Sequence, residues 1–185
     1  MQVRVTKYNP AFRDDNGEYL AHDWTYCSDI GKVFSGASLT ANDYLEIEHK
    51  YVHTLCSILT AYGIKAMRIS ELHNDVSGPY DLLLAGVPEC LTESSREMLE
   101  NVWERSEMCN GQTLEKSLFR DVFRLCLREV LWMKLESTTG GYVHFGYDYY
   151  VYVGVDAKPT LWSIEVPDGI FIECCSSPYR ESWFE

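Results

Sequence analysis

The sequence predicts an α+β fold: a largely antiparallel sheet with three main helices, two of which form an antiparallel helical hairpin. Three long stretches repeat apolar residues with the period of a helix, and several short stretches alternate as strands do. Turn residues after the last helix divide the final part of the chain into segments of hairpin length. The helices are therefore expected to be segregated from the sheet, in one domain over residues 1–185.

The N-terminal segment is predicted to contain one strand followed by irregular chain. Residues 2–8 alternate in polarity, and Asn9-Pro10 ends that strand. Residues 11–38 show neither the period of a helix nor that of a strand. Because this segment is too long for a plain connection in a compact domain, we expect it to hold a hairpin or a functional loop. A short strand is predicted over residues 18–26, after the turn at residues 14–17.

The first helix is predicted to begin at the cap Thr40, with Asp43 at the third helical position, and to end near Tyr62-Gly63. Its buried stripe is predicted to consist of Leu45, Val52, Leu55, Cys56 and Leu59. Glu48 falls inside this stripe, where a carboxylate must be paired, hydrogen-bonded, protonated or at the stripe's open edge. A structural partner such as an arginine or a tyrosine is one interpretation, and a general acid or base in a cleft is the other.

The middle of the chain is predicted to form two strands and then two helices. The strands are expected over residues 64–72 and 81–87, and the helices over residues 92–108 and 113–136. The short turn at residues 109–111 would make these two helices antiparallel neighbours.

Two hairpins are predicted near the C-terminus. The first joins residues 142–145 to 149–155, and the second joins residues 161–166 to 170–174. Residues 160–165 could instead form a short helix, because Pro159-Thr160 is also a helix-start signal.

Tyrosines crowd the first of these hairpins. Alternation along residues 149–155 places the valines on one face, predicted to be core, and Tyr150 and Tyr152 on the other. The tyrosine face either packs under a helix or is exposed as an anchor for a partner, since tyrosine is common at protein interfaces.

The second predicted helix carries five carboxylates on one side, which we call the acidic strip. These are Glu93, Glu97, Glu100, Glu104 and Glu107. At 100° per residue they fall within an arc of about 80°. Like charges at these spacings repel by a few tenths of a kcal/mol per pair. The strip is either a solvated face partly compensated by Arg96 and Arg105, or a docking surface for a basic partner.

The third predicted helix carries a row of cations, which we call the basic row. Its members are Lys116, Arg120, Arg124 and Arg128. A phosphate site is one use of such a row. Pairing within the molecule, with Asp121, Glu129 and the acidic strip, is the favoured interpretation.

The net charge of −12 bears on which kinds of molecule the chain can bind. It argues against binding to nucleic acid or to an anionic membrane, because both require clustered lysine and arginine. It favours attraction of a basic protein, although solubility alone would also explain the sign. No apolar stretch is long enough to span a bilayer, and the N-terminus has no signal-peptide pattern.

The seven cysteines include no Cys-x-x-Cys pair and are odd in number, which indicates a reducing, cytoplasmic location. No nucleophile elbow or nucleotide-binding glycine motif is present, so no catalytic residue and no cofactor are predicted. His49 and His53, with Glu46, have the spacing of a zinc site but lack a matching set elsewhere. They are interpreted as exposed helix side chains, and no metal is expected.

Both ends of the chain resemble a known family. The matching residues near the start are Lys7-Tyr8-Asn9-Pro10, Arg13-Asp14, Gly17-Glu18-Tyr19, Trp24-Thr25, Ser28-Asp29-Ile30-Gly31, Phe34, Gly36, Leu39-Thr40 and Tyr44. Those near the end are Gly169-Ile170-Phe171-Ile172-Glu173 and Ser177-Pro178-Tyr179. They resemble a family of small, acidic bacterial proteins that look like the immunity proteins of contact-dependent and other polymorphic toxins. The resemblance leaves the two middle helices unmatched and brings no catalytic residues with it.

This resemblance implies an immunity-type protein that neutralises a basic toxin domain. The acidic strip, together with Tyr150 and Tyr152, would form the partner-binding surface. The alternative is a small-ligand-binding protein or an enzyme, with a cleft between the N-terminal segment and the first helix. Glu48, His49 and Asp29 would be its candidate residues. A Glu48 paired with an arginine in a closed core would exclude that alternative.

Overall fold

The computed structural model describes residues 1–73, 80–156 and 164–180. The strands are β1 (Gln2–Thr6), β2 (Val33–Phe34), β3 (Ala37–Ser38), β4 (Ala66–Leu72), β5 (Thr113–Glu115), β6 (Met133–Glu136), β7 (Tyr142–Phe145), β8 (Val151–Gly154) and β9 (Phe171–Cys174). The α-helices are α1 (Ala41–Ala61), α2 (Tyr80–Leu83), α3 (Glu89–Arg105) and α4 (Phe119–Leu127). Among these helices, none is long and apolar enough to cross a membrane.

Seven strands form one antiparallel sheet in the order β5-β4-β6-β7-β8-β1-β9, and β2 and β3 form a separate hairpin. The α+β class is therefore confirmed. Helix α1 packs against β1 and α4, and α3 packs against α4. Hydrogen bonds from Asn101 to Asp121 and from Arg105 to Ser117 show that α3 and α4 run antiparallel.

Helix α1 is the element that the sequence predicts best. Thr40 accepts a hydrogen bond from the backbone N–H of Asp43, whose carboxylate accepts one from the backbone N–H of Thr40. Gly63 follows the helix with φ +69°, a conformation that favours glycine. The predicted buried stripe is wrong at Leu45, which is 37% exposed, whereas its other members are buried or half-buried.

The predicted third helix over residues 113–136 is wrong, because this stretch forms four elements. They are β5, a single 3₁₀ turn, helix α4 and strand β6. Helix α4 ends where Glu129 adopts φ +58°, and the N–H of Val130 reaches back to the carbonyl of Leu125. This is the usual glycine-terminated helix end with a glutamate in the glycine's place, so the sequence carries no stop signal there.

The predicted strand over residues 81–87 is also wrong. The chain forms the short helix α2 there, with Leu82 exposed and Leu84 buried. The strand was predicted from a short apolar run, and a run of this length is equally compatible with a helix.

The N-terminal segment contains a hairpin, but not where the short strand was predicted. Residues 18–26 form only one isolated bridge, between Arg13 and Tyr19, and the hairpin is β2–β3. Aromatic packing holds the segment instead: the Trp24 ring centroid lies 5.4 Å from that of Tyr44 and 4.9 Å from that of Tyr149. Packing of this kind leaves no periodicity in the sequence.

The first C-terminal hairpin is confirmed as β7–β8. The second is not formed as predicted: β9 pairs with β1, and residues 164–166 are not a strand. The rest of that prediction, residues 161–163, lies outside the described residues, as does most of the alternative helix.

The two faces of the sheet differ in chemistry. The face toward the helices is apolar and includes the buried valines of β1, β7 and β8. On the opposite face, strand register aligns one side chain from each of six neighbouring strands, which we call the polar row. In order across the sheet these are Glu71, Lys134, His144, Tyr152, Arg4 and Glu173.

Candidate functional site

The acidic strip is exposed along its whole length. Helix α3 ends at Arg105, so Glu107 lies just beyond it and the other four carboxylates lie on it. None of the five forms a salt bridge with another residue in the described ranges. Arg96 instead pairs with Asp81 at 2.8 Å, and Arg105 donates to Ser117, so neither arginine neutralises the strip by direct contact.

The buried face of α3 is fixed by one guanidinium. Arg128 donates to both carboxylate oxygens of Glu48, at 2.6 and 2.8 Å, and to the hydroxyls of Ser94 and Ser95 at 2.8 and 2.9 Å. These contacts join α1, α3 and the end of α4. Burial lowers the pKa of Arg128, but the hydrogen bond and the charge of Glu48 outweigh it, so the pKa is raised and the guanidinium stays charged.

Glu48 therefore has the structural partner that its position required. It is only 1% exposed and its carboxylate is enclosed by Arg128 and Arg124. Asp29 is engaged locally by Lys32 and by backbone N–H groups, and His49 is exposed on α1. The cleft predicted from Glu48, His49 and Asp29 is consequently not formed.

The basic row divides into two halves. Its C-terminal half pairs with Glu48 of α1, not with the acidic strip, Asp121 or Glu129 as predicted. Its other half, Lys116 and Arg120, lines a groove of about 430 Å³ against α1. The α1 side of this groove consists of His53, Cys56, Ser57, Thr60 and Ala61.

The predicted tyrosine face is covered, although not by a helix. Tyr152 is 7% exposed, and its ring centroid lies 5.8 Å from that of Tyr179 in the C-terminal segment. Tyr150 is half-buried; its hydroxyl accepts a hydrogen bond from Arg13, and Arg4 lies over its ring. Little of Tyr152 is left for a partner to contact, and the binding role of both tyrosines stays a prediction.

A polar cavity of about 200 Å³ lies on the polar face of the sheet, and the sequence did not reveal it. It is lined by Glu136, Ser137, Gly140, Gly141, Tyr142, His144 and Arg180. Residues 133–136 and 142–145 do alternate polar with apolar side chains, but residues 133–136 fall within the predicted third helix. Because alternate residues of a strand lie on the same face of the sheet, the polar residues of these two strands were the signal that could have located the cavity.

His144 is the buried titratable group of this cavity. It is 3% exposed, its Nδ1 lies 2.8 Å from the Ser177 hydroxyl, and the Tyr142 ring stacks on it. Burial, together with the nearby charges of Lys134 and Arg180, lowers the pKa of His144 to about 4. The imidazole is therefore neutral at pH 7.

Within the described ranges, no three His, Cys, Asp or Glu side chains are grouped so as to hold a metal ion, and all seven cysteines are free thiols. Comparison of the chain with family models, curated proteins and solved structures gives no match.

Proposed function

We propose that this chain is an immunity-type protein that binds and neutralises a basic protein, such as a toxin domain, through the acidic strip. The observation that supports this proposal is the row of exposed carboxylates without salt bridges to described residues. From Glu93 to Glu104 the row extends about 16 Å along the helix, at 1.5 Å per residue. Lysines and arginines of a phosphate-binding cleft would complement a surface of this kind.

Rigidity of α3 supports the same proposal. On its buried side, the helix is held by hydrogen bonds from Arg128 to the hydroxyls of Ser94 and Ser95. Because the helix backbone that carries the glutamates is already in place, only their side chains need ordering when a partner binds, which reduces the entropy lost on binding. Its field would raise the association rate before any contact forms.

An apolar anchor lies next to the strip. Asp81 pairs with Arg96 of α3, and the neighbouring Leu82 is 73% exposed. Charged surfaces mainly accelerate association, whereas desolvated apolar contacts slow dissociation. The acidic strip would supply the fast association, and Leu82 beside it would supply an apolar contact that slows dissociation. A reducing cytoplasm, indicated by the unpaired cysteines, is the proposed location of the complex.

The test uses the basic toxin domain encoded in the reading frame beside this one, or a basic protein captured from the native host. Coexpression is expected to restore growth of cells that produce the toxin domain. Replacing Glu93, Glu97 and Glu100 by glutamine is expected to slow association at low salt by about tenfold or more and to flatten its salt dependence.

The matched control removes the same charge elsewhere, through Asp15→Asn, Glu18→Gln and Asp168→Asn. All three are exposed and lie outside α3. The control is expected to slow association much less. Equal slowing in both variants would mean that only the net charge matters, and unchanged kinetics in the α3 variant would disprove the role of the strip.

A further inference from the structure

The hydrogen-bond network around His144 determines which ring nitrogen carries the hydrogen. The Ser177 hydroxyl oxygen accepts a hydrogen bond from the backbone N–H of Tyr179 at 3.1 Å. Its own hydrogen is then free to be donated to His144 Nδ1, 2.8 Å away. The opposite arrangement would leave the buried Ser177 hydroxyl hydrogen without an acceptor among the residues that the structure describes. We therefore assign the ring hydrogen of the neutral imidazole to Nε2.

This Nε2–H group has no hydrogen-bond partner in the part of the chain that the structure describes, although it is fully buried. A buried donor without an acceptor destabilises a protein by about 1–3 kcal/mol. His144 lines the 200 Å³ cavity, so a ligand seated there could supply the missing acceptor.

Two donors, Arg180 and the Nε2–H of His144, favour an anion in the cavity. Arg180 lines it, with the guanidinium 5.8 Å from the Tyr142 ring centroid, and forms no salt bridge within the described ranges. Lys134 precedes His144 in the polar row, with its ammonium 2.9 Å from Glu71. Both cations act on the imidazole, since both lower its pKa.

Glu136 also lines this cavity and adds a negative charge beside the two donors. The two donors match the two oxygens of one carboxylate, whereas a phosphate dianion has further oxygens that would be repelled by Glu136. A monocarboxylate therefore fits this lining better than a phosphate dianion. Glu136 can also accept a hydrogen bond from a hydroxyl or ammonium group on the ligand.

We propose that this cavity binds a small monocarboxylate, with Arg180 and the Nε2–H of His144 donating to the carboxylate oxygens. Glu136 holds a hydroxyl or ammonium group next to that carboxylate. The site is on the face of the sheet opposite the helices, so it is separate from the acidic strip and does not depend on the proposed function.

The experiment is an NMR titration of the full chain, labelled in its histidines, at pH 7 with acetate as the probe. Acetate is expected to shift the His144 ring signals saturably, with a Kd on the order of 1 mM, as four non-hydrogen atoms allow. Lactate, which adds a hydroxyl for Glu136, is expected to bind more tightly. Ring ¹⁵N shifts are expected to place the hydrogen on Nε2.

Arg180→Gln is expected to weaken acetate binding at least tenfold without unfolding the chain, because Arg180 is exposed. The matched control, Arg120→Gln, removes an exposed arginine from the other side of the molecule and is expected to leave the Kd unchanged. Absence of a saturable shift, a hydrogen on Nδ1, or inorganic phosphate binding as tightly as acetate would each overturn the proposal.

Discussion

Glu48 and Arg128 form a buried ion pair that is costly to break. Both side chains are buried, and one guanidinium satisfies a carboxylate and two serine hydroxyls on two other helices. An ion pair of this kind adds little stability relative to a well-packed apolar pair, but removal of one partner leaves an uncompensated buried charge.

Glu48→Ala is therefore expected to lower the free energy of unfolding by about 3–5 kcal/mol, measured by urea denaturation. The control Glu46→Ala removes the exposed partner of the half-buried Lys50 on the same helix and is expected to cost about 0.5 kcal/mol or less. The double variant Glu48→Leu with Arg128→Met is expected to recover most of the loss. A Glu48→Ala cost no larger than that of Glu46→Ala would refute this account.

His144 makes the stability depend on pH. Its pKa is about 4 in the folded protein and about 6.5 in an unfolded chain, so between these values the unfolded state binds more protons. The free energy of unfolding is therefore expected to fall as the pH is lowered from about 6.5 to about 4. At about 1.4 kcal/mol per pKa unit, the loss is on the order of 3 kcal/mol.

Chemical denaturation at a series of pH values would measure this loss. His144→Gln is expected to flatten the curve between pH 6.5 and 5, above the range where most carboxylates titrate. His49→Gln, which removes an exposed histidine, should retain the wild-type slope. A His144→Gln curve as steep as the wild type would exclude His144 as the cause.

At the scale of elements, Gly154 in β8 leaves room for the ring of Tyr142 from the neighbouring strand. Residue 154 lies opposite Tyr142 in β7, and a Cβ at this position would fall onto the Tyr142 ring. Gly154→Ala is therefore expected to lower the free energy of unfolding by about 1–3 kcal/mol, because the ring must move.

Thermal denaturation would test this, with Gly86→Ala as the control. No atom outside its immediate chain neighbours lies within 4 Å of a Cβ at residue 86, so that substitution is expected to leave stability unchanged or to raise it by up to about 1 kcal/mol. Equal melting temperatures for the two variants would show that the Tyr142 ring yields freely.

The elements also show what the sequence could and could not predict. Helix α1 and the hairpin β7–β8 were predictable because caps, periods and turns all point the same way there. Helix α3 was predictable from its period alone, and the predicted bounds, 92–108, lie three residues too late, because Pro88 precedes the helix and no side chain caps it. The end of α4 was not, because tertiary packing places Glu129 where a glycine is usual. The acidic strip was visible because helical spacing is local. The cavity of His144 was not, since it combines β6, β7 and the C-terminal segment.

The whole molecule carries a net charge of −12, and its charges are unevenly arranged. The acidic strip is exposed without salt bridges to described residues, while the cations of the basic row pair with Glu48 or line the groove beside α1. Arg96 offsets part of the repulsion within the strip, and the remaining excess of negative charge is expected to destabilise the compact state at low ionic strength.

Added salt is expected to raise the melting temperature at pH 7. Screening shortens the Debye length from about 30 Å at 0.01 M to about 8 Å at 0.15 M, which weakens repulsion among exposed charges more than it weakens buried pairs. A gain on the order of 1 kcal/mol corresponds to roughly 2–4 °C for a chain of this size. The glutamine variant of the strip should gain less, and a melting temperature that falls with salt would contradict this view.

The position of β1 in the sheet has a consequence for synthesis on the ribosome. This first strand lies between β8 and β9, so that Val5 is the neighbour of Val151 and of Ile172. At about 5–20 residues per second, β1 leaves the ribosome roughly 7–30 s before its nearest partner strand exists. The sheet is therefore completed only after translation has passed residue 154, and until then the apolar face of β1, Val3 and Val5, has no partner strand.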